Sequence, residues 1–290
     1  MTGGAVAGVL KDGRLHLQHG PIDLIIEANG DPENIKIAYQ AMTERFATVL
    51  DELVLELEPL RQEASLAQDV KGLIAQRMLK AAKKFSGEFV TSMAAVAGSV
   101  ADEIAEVGWR STSLTKLYVN NGGDIAFRIS HGEEVVIGVA KSVVDPTLIG
   151  RLHFTSKSNS RGVATSGFGG RSQTFGIADA VTVVSSCAAD ADVAATLIAN
   201  RVSLGDHPQV KSVAADSVDG SSDLGSRFVT SSVGELTKQE IETALDNGAQ
   251  MAKALCSDAR IEGAFIALRG SVRSVGNFDS NYLVDGKVSW

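Results

Sequence analysis

The sequence predicts an α+β fold with a mainly antiparallel sheet, and three observations carry that expectation. Near the start, the alternating runs Leu15-His16-Leu17 and Ile22-Asp23-Leu24-Ile25-Ile26 flank Gly20-Pro21, which reads as two strands joined by a tight turn. From Pro32 the apolar period changes to three and four residues, the signature of an amphipathic helix. Between Lys116 and Val184, short apolar runs follow one another with no helical stretch between them, so strands neighbour strands instead of alternating with helices.

Taken in order, Asn29-Gly30-Asp31-Pro32 ends the second strand and opens the first helix, with Asp31 as N-cap and Pro32 at the first helical position. Its apolar stripe is Ile35, Tyr39, Met42, Phe46, Val49, Leu50, Leu53 and Leu57. A second helix is expected from Ala67 to Lys84, its basic end (Lys80, Lys83, Lys84) facing the negative pole of the helix dipole. Thr91 caps a third, whose small residues Ala94, Ala95, Ala97 and Gly98 permit close approach of another backbone. Strands follow at Leu117–Asn120, Ile125–Ile129, Val135–Val139, Leu152–Thr155, Val163–Thr165 and Ala180–Val184. A helix over Ala188–Val202 and a strand over Val210–Ala214 come next. Beyond a polar stretch from Asp216 to Ser226, the capping-box tetrad Thr237-Lys238-Gln239-Glu240 opens a last helix. The strand Gly263–Leu268 and a polar tail complete the chain.

Composition bounds the function. With 290 residues, 44% hydrophobic, 21% charged and only five prolines, the chain reads as ordered and globular throughout. It is long enough for one large domain, 1–290, with candidate halves 1–160 and 161–290. A formal net charge of -8 leaves no global field for phosphate polymers, so nucleic acid is not an expected partner. The start lacks a basic region followed by an apolar core, and no apolar stretch approaches the roughly 20 residues of a membrane helix. A cytoplasmic protein without a membrane partner is the expectation; oligomeric state is not legible. Cys187 and Cys256 lie far apart with no Cys-x-x-Cys spacing, so they read as inert thiols.

The candidate chemistry concentrates in three segments. Asn120-Asn121-Gly122-Gly123-Asp124 places two amides, a Gly-Gly turn and a carboxylate between strands, either as a polar ligand contact or as an Asn-Gly hairpin turn. Thr165-Ser166-Gly167 and the glycines that follow, ending in Arg171, suit a phosphate or carboxylate or else form a mobile glycine loop with a solvent-facing Arg171; no Gly-Lys-Ser/Thr follows, so this is not a P-loop. Helical spacing puts Asp192 and Thr196 on one face, where carboxylate and hydroxyl oxygens suit a hard cation such as magnesium. The same spacing also fits ordinary dipole compensation and back-bonding. Ser113-Leu114-Thr115-Lys116 has the Ser-x-x-Lys spacing without its companion motifs, and the five histidines form no His-Glu-x-x-His pair.

Taken together and in this order, Asn120–Asp124, Ala164-Thr165-Ser166-Gly167 and Ala191-Asp192-Val193-Ala194-Ala195-Thr196 resemble the ApbE-like superfamily. Met93–Gly98 and Phe175–Val183 look like a branch of it classed as an uncharacterised protein family (UPF), and the resemblance runs from Gly13 to Arg269. It implies a single ApbE-like domain of two related strand–helix–strand halves with a ligand groove between them. The founding members are FAD:protein FMN transferases, which use magnesium to cleave FAD and attach FMN to a protein threonine. Their metal is held partly by the Asp and Thr that match Asp192 and Thr196, and their Asn-x-Gly-Gly-Asp turn matches Asn120–Asp124. After Gly167 they carry a His-Ile-x-Asp-Pro-x-x-Gly segment where this chain has Arg171-Ser172-Gln173-Thr174-Phe175-Gly176, so a complete FMN transferase is not expected.

The resulting expectation is a protein binding an anionic or phosphorylated small molecule, FAD, FMN or a nucleotide being candidates, together with magnesium. If it is an enzyme, it is a metal-assisted transferase or hydrolase without an assigned catalytic residue. Its alternatives are a non-catalytic flavin- or nucleotide-binding module and, from archaeal relatives of the branch, a role in sulfur assimilation into homocysteine.

Overall fold

The computed structural model describes residues 4–85, 87–140, 147–170 and 172–276. Its strands are β1 (Val6–Val9), β2 (Leu15–His19), β3 (Ile22–Asn29), β4 (Lys116–Asn121), β5 (Asp124–Ile129), β6 (Glu134–Ala140), β7 (Leu148–Thr155), β8 (Gly162–Ser166), β9 (Ala180–Ser185), β10 (Val210–Ala214), β11 (Phe228–Val233), β12 (Gly263–Leu268) and β13 (Ser271–Gly276). Its helices are α1 (Pro32–Leu55), α2 (Leu57–Leu60), α3 (Leu73–Lys83), α4 (Val96–Ser111), α5 (Ala188–Arg201), α6 (Ala215–Val218) and α7 (Lys238–Ser257). The fold is α+β, and every strand pairing registered between these elements is antiparallel.

The chain divides into two compact units assembled from interleaved segments. The first comprises residues 1–135, 154–164 and 185–192, the second 136–153, 165–184 and 193–290.

In the first unit the strand order is β1-β2-β3-β4-β5-β8. β2 and β3 alternate strictly, so Leu15, Leu17, Leu24 and Ile26 point into the core while the intervening residues meet solvent. α1 covers that face with Met42, Phe46, Val49 and Leu53, all buried. The Asp31 carboxylate caps it, accepting from the Glu33 N–H at 3.0 Å, and Pro32 occupies the first turn. α3 begins at Leu73, six residues later than the periodicity suggests. The reason is local: the Glu56 carboxylate accepts from the Lys71 and Gly72 amides at 2.6 Å each, which fixes the helix start there. Thr91 caps a 3-10 turn, Ser92–Ala95, that leads directly into α4. Between α1, α3 and α4, buried Glu103 is held by Arg45 at 2.9 Å and by Arg77 at 3.3 Å.

In the second unit β12 lies between β9 and β13. β9 and β12 are buried on both faces, and their sequences accordingly do not alternate: β12 is apolar throughout, and β9 is apolar but for the buried hydroxyls of Thr182 and Ser185. α7 starts on the full capping box, with the Thr237 hydroxyl and the Glu240 side chain each bonded to the other's backbone N–H. β10 and β11 form a two-stranded sheet with an irregularity between Lys211 and Ser212. β13 falls in the stretch that reads as a polar tail. Among the described residues no helix is long and apolar enough to cross a membrane.

Candidate functional site

The Asn120–Asp124 segment forms the β4–β5 hairpin, with Asn121 opposite Asp124 and a two-residue Gly122-Gly123 loop. Both glycines have positive φ, 65° and 117°, a conformation that a side chain would strain at two successive positions. The Asn120 Oδ1 accepts from the Gly123 N–H at 2.9 Å and fixes the loop from inside. The segment is therefore a hairpin turn, with Asn121 and Asp124 flanking its loop. Asn121 and Asp124 are buried, and the Asn121 amide donates to the Ala97 carbonyl at 3.1 Å, which joins the hairpin to the start of α4.

The first turn of α5 meets the same place. Asp192 accepts from the Gly98 N–H at 2.9 Å, a buried amide in the first turn of α4. In return, Asp102, one turn further along α4, accepts from the N–H groups of Ala188 and Ala189 at 3.2 and 2.9 Å, the orphan amides that start α5. Each helix supplies the carboxylate that caps the other. Only small residues allow this approach: a Cβ on Gly98 would stand 2.3 Å from the Ala188 carbonyl oxygen, and one on Gly162 of β8 would stand 2.1 Å from the Ala188 nitrogen. The alanine-rich start of α5 is thus the consequence of three backbones converging.

Charge at this point is unusual. Burial, and then the carboxylate of Asp124, push Asp192 well above the ordinary carboxylate range, against the pull of the Gly98 and Ala97 amides. Burial also raises Asp102, opposed by its two amide donors and by Arg128 and Arg77. Asp190, buried in the same turn of α5, is paired with Lys84. Cys187 is pushed up to about 12 by burial and by Asp102 and Asp190, so its thiol is protonated and a poor nucleophile at neutral pH. Burial raises Cys256 as well.

Of the residues singled out from the sequence, Asn120, Asn121, Gly122, Gly123, Asp124 and Asp192 come together in the first unit. Thr196 lies one turn beyond Asp192 on α5, and both are half-buried. Thr165, Ser166 and Gly167 belong to the second unit. There the Thr165 hydroxyl stands 2.9 Å from that of Thr182, and Gly167 has φ +153° with the Asp179 carbonyl 2.8 Å from where its Cβ would be. Arg171 lies outside the described residues. The sequence offered no reason to select Asp102, yet a signal exists: it shares a helical face with Gly98, Ala101 and Ala105, so a charge sits on the stripe of small residues that must be buried.

Among the described residues, no group of three or more His, Cys, Asp and Glu side chains could hold a metal ion. Two carboxylates of hard oxygen donors, Asp124 and Asp192, do not make a closed cage. They fit magnesium, which typically takes one or two carboxylates and completes its shell with water and ligand phosphate oxygens.

A family model described as "AbpE bacteria" matches residues 7–274. A UPF0280 protein of Methanopyrus kandleri is 40% identical over 136 residues, 47% of this chain and 52% of that protein. A UPF0280 protein of Methanosarcina acetivorans is 29% identical over 189 residues, 63% of this chain and 70% of that protein. For several of these curated relatives the chain spans about half of their length. Among solved structures, the apo form of the Pseudomonas stutzeri flavinyl transferase ApbE matches with a TM-score of 0.41 at 12% identity, covering 93% of each chain. The ApbE protein of Thermotoga maritima matches at 0.38 and 15%, covering 85% of this chain and 76% of that one.

Proposed function

Because this chain belongs to the AbpE bacteria family, an ApbE-like family matched over residues 7–274, we propose that it binds an anionic, phosphorylated small molecule, a flavin or nucleotide, together with a divalent cation. The observation that carries the reading is the convergence of the Asn120–Asp124 hairpin and Asp192 on the start of α4, where Asn121 bonds Ala97 and Asp192 bonds Gly98; burial first, and then the Asp124 carboxylate, raises Asp192. Two like charges in a dry site are costly, and a divalent cation removes that cost while presenting a positive face to phosphate. Asp192 and Thr196 would hold magnesium on the α5 side and Asp124 on the hairpin side. The Gly122-Gly123 loop, Asn120 and Asn121 would border the ligand. When bound, magnesium would supply charge neutralisation at phosphate oxygens.

A non-catalytic binding module is the second reading. It is favoured by Arg171–Gly176, where flavin transferases carry a histidine and an aspartate suited to proton transfer and this chain carries neither. Sulfur assimilation gains no support from the thiols, since burial raises both Cys187 and Cys256.

Native mass spectrometry of the purified chain, followed by calorimetry with FAD, FMN and ADP with and without magnesium, tests the proposal. Magnesium-dependent binding is expected, and Asp192→Asn should weaken it at least about tenfold while an amide oxygen still accepts from Gly98. Equal affinity in the variant, with folding intact, removes Asp192 from the site. Binding of all three ligands independent of magnesium removes the cation.

A further inference from the structure

Two cavities adjoin along α3, away from the carboxylates of the candidate site. Asp192 meets the first turn of α4 at Gly98, whereas the first of these cavities, of about 660 Å³, is bounded by the second half of α4 and by α3. Its walls include Arg77, Glu103, Glu106 and Arg110. The second, of about 690 Å³, is bordered by Asp69, Leu79, Lys83 and Lys84. Gln76 and Lys80 line both, so the pair forms one cleft with Lys80 at its middle. Each volume falls in the range of roughly 300–1,000 Å³ that holds small molecules.

The cleft is polar, and its charge is unbalanced. Among the described residues its cations are Arg77, Lys80, Lys83, Lys84 and Arg110, and its carboxylates are Asp69, Glu103 and Glu106. Glu103 is matched by Arg45 and Arg77, and Glu106 by Arg77 and Arg110. Those bonds also hold the two guanidiniums of the wall in place before any ligand arrives. Lys84 is paired with Asp190. Lys80 and Lys83 are exposed and, among the described residues, form no ion pair. Lysines in a last turn complement the helix dipole, which accounts for Lys83 and Lys84. That effect does not account for Arg77, in the second turn of α3, or for the convergence of Arg110 from α4 on the same hollow.

We propose that this cleft binds a small molecule bearing a di- or triphosphate. Arg77 and Arg110 would meet phosphate oxygens in the first cavity and Lys83 in the second, with Lys80 bridging them. Arg77 and Lys84 are seven residues apart, about 10 Å of helix, so the cations are spread too far for one carboxylate and suit a chain of successive anionic groups. In a protein of net charge -8 the general field does not favour a polyanion, so its recognition must come from local groups such as these.

Calorimetry of the full chain with inorganic tripolyphosphate, in the presence of a chelator, tests the assignment. The chelator removes any cation from Asp124 and Asp192, so the result bears on this cleft alone. Saturable binding is expected. Lys80→Glu with Lys83→Glu should raise the dissociation constant at least about tenfold, and because both lysines are exposed, circular dichroism should be unchanged. The same reversal at two exposed lysines of the second unit, Lys211→Glu with Lys253→Glu, should leave the affinity near that of the wild type. The absence of saturable binding overturns the proposal. So does an affinity indifferent to the Lys80 and Lys83 reversals, or an equal loss from those at Lys211 and Lys253. Binding to vesicles containing phosphatidylglycerol in place of tripolyphosphate would also overturn it, by assigning these cations to a lipid surface.

Discussion

Asp192 does two things that pull in opposite directions. As an acceptor from Gly98 it is most useful ionised, yet burial and Asp124 resist its ionisation. The consequence for pH follows from linkage. Its pKa in the folded chain lies above the unfolded value, so its contribution to stability is fully present below the ordinary carboxylate range and is lost as pH rises through the raised value. On the proposed function, a cation held by Asp124 and Asp192 would stabilise the ionised form and compete with the proton. The increase in melting temperature caused by magnesium should therefore grow from mildly acidic to neutral pH and shrink strongly in Asp192→Asn. Thermal unfolding with and without magnesium across that range measures it; an increment flat in pH, or one equal in the variant, would point to a site elsewhere.

At the scale of elements, the same substitution should have different costs at two glycines of one helix. A Cβ on Gly98 meets the Ala188 backbone at 2.3 Å, and neither backbone can yield without breaking the mutual caps of α4 and α5. On Gly108 it meets the sulfur and terminal carbons of Met42, a side chain that can change rotamer. Gly98→Ala is expected to cost more than about 2 kcal/mol by overpacking. Gly108→Ala should change stability by less than about 1 kcal/mol, because the better helix propensity of alanine offsets the displaced methionine. Urea denaturation of both variants decides, and a Gly98→Ala protein as stable as Gly108→Ala would mean the close approach is not a constraint. This difference was not legible in the sequence, where both are glycines in one amphipathic segment. What was legible is what neighbours in the chain determine: the Asp31 and Thr237 caps, the alternation of β2 and β3, and the apolar run of β12. β11 and β13 escaped because their serine-, threonine- and arginine-bearing runs become strands only against β10 and β12. The candidate site divides in the same way. Its hairpin and its Asp192 are marked by local motif, whereas Asp102 acts on residues 86 and 87 positions away.

For the whole molecule, the interleaving of the two units determines how the chain can be cut. A fragment 1–160 would keep α1, α3, α4 and β1–β5 but lose β8 and the first turn of α5, which belong to the same unit. Asp102 would then lack both amide donors, and the Gly98 amide would lack its carboxylate. β5 would lose its partner at Ile125 and Ala126, so an internal strand would become an edge of unpaired backbone groups. Together these losses leave several buried polar groups unsatisfied at about 1–3 kcal/mol each, comparable to the whole stability of a domain this size. The fragment is expected to unfold without a cooperative transition, whereas mixing it with 161–290 should restore one by returning the missing donors. Circular dichroism melts of the separate and mixed fragments measure this. A sharp transition in 1–160 alone would show that the first unit needs neither the returning strand nor the α5 turn, and that the reciprocal caps contribute little to holding it together.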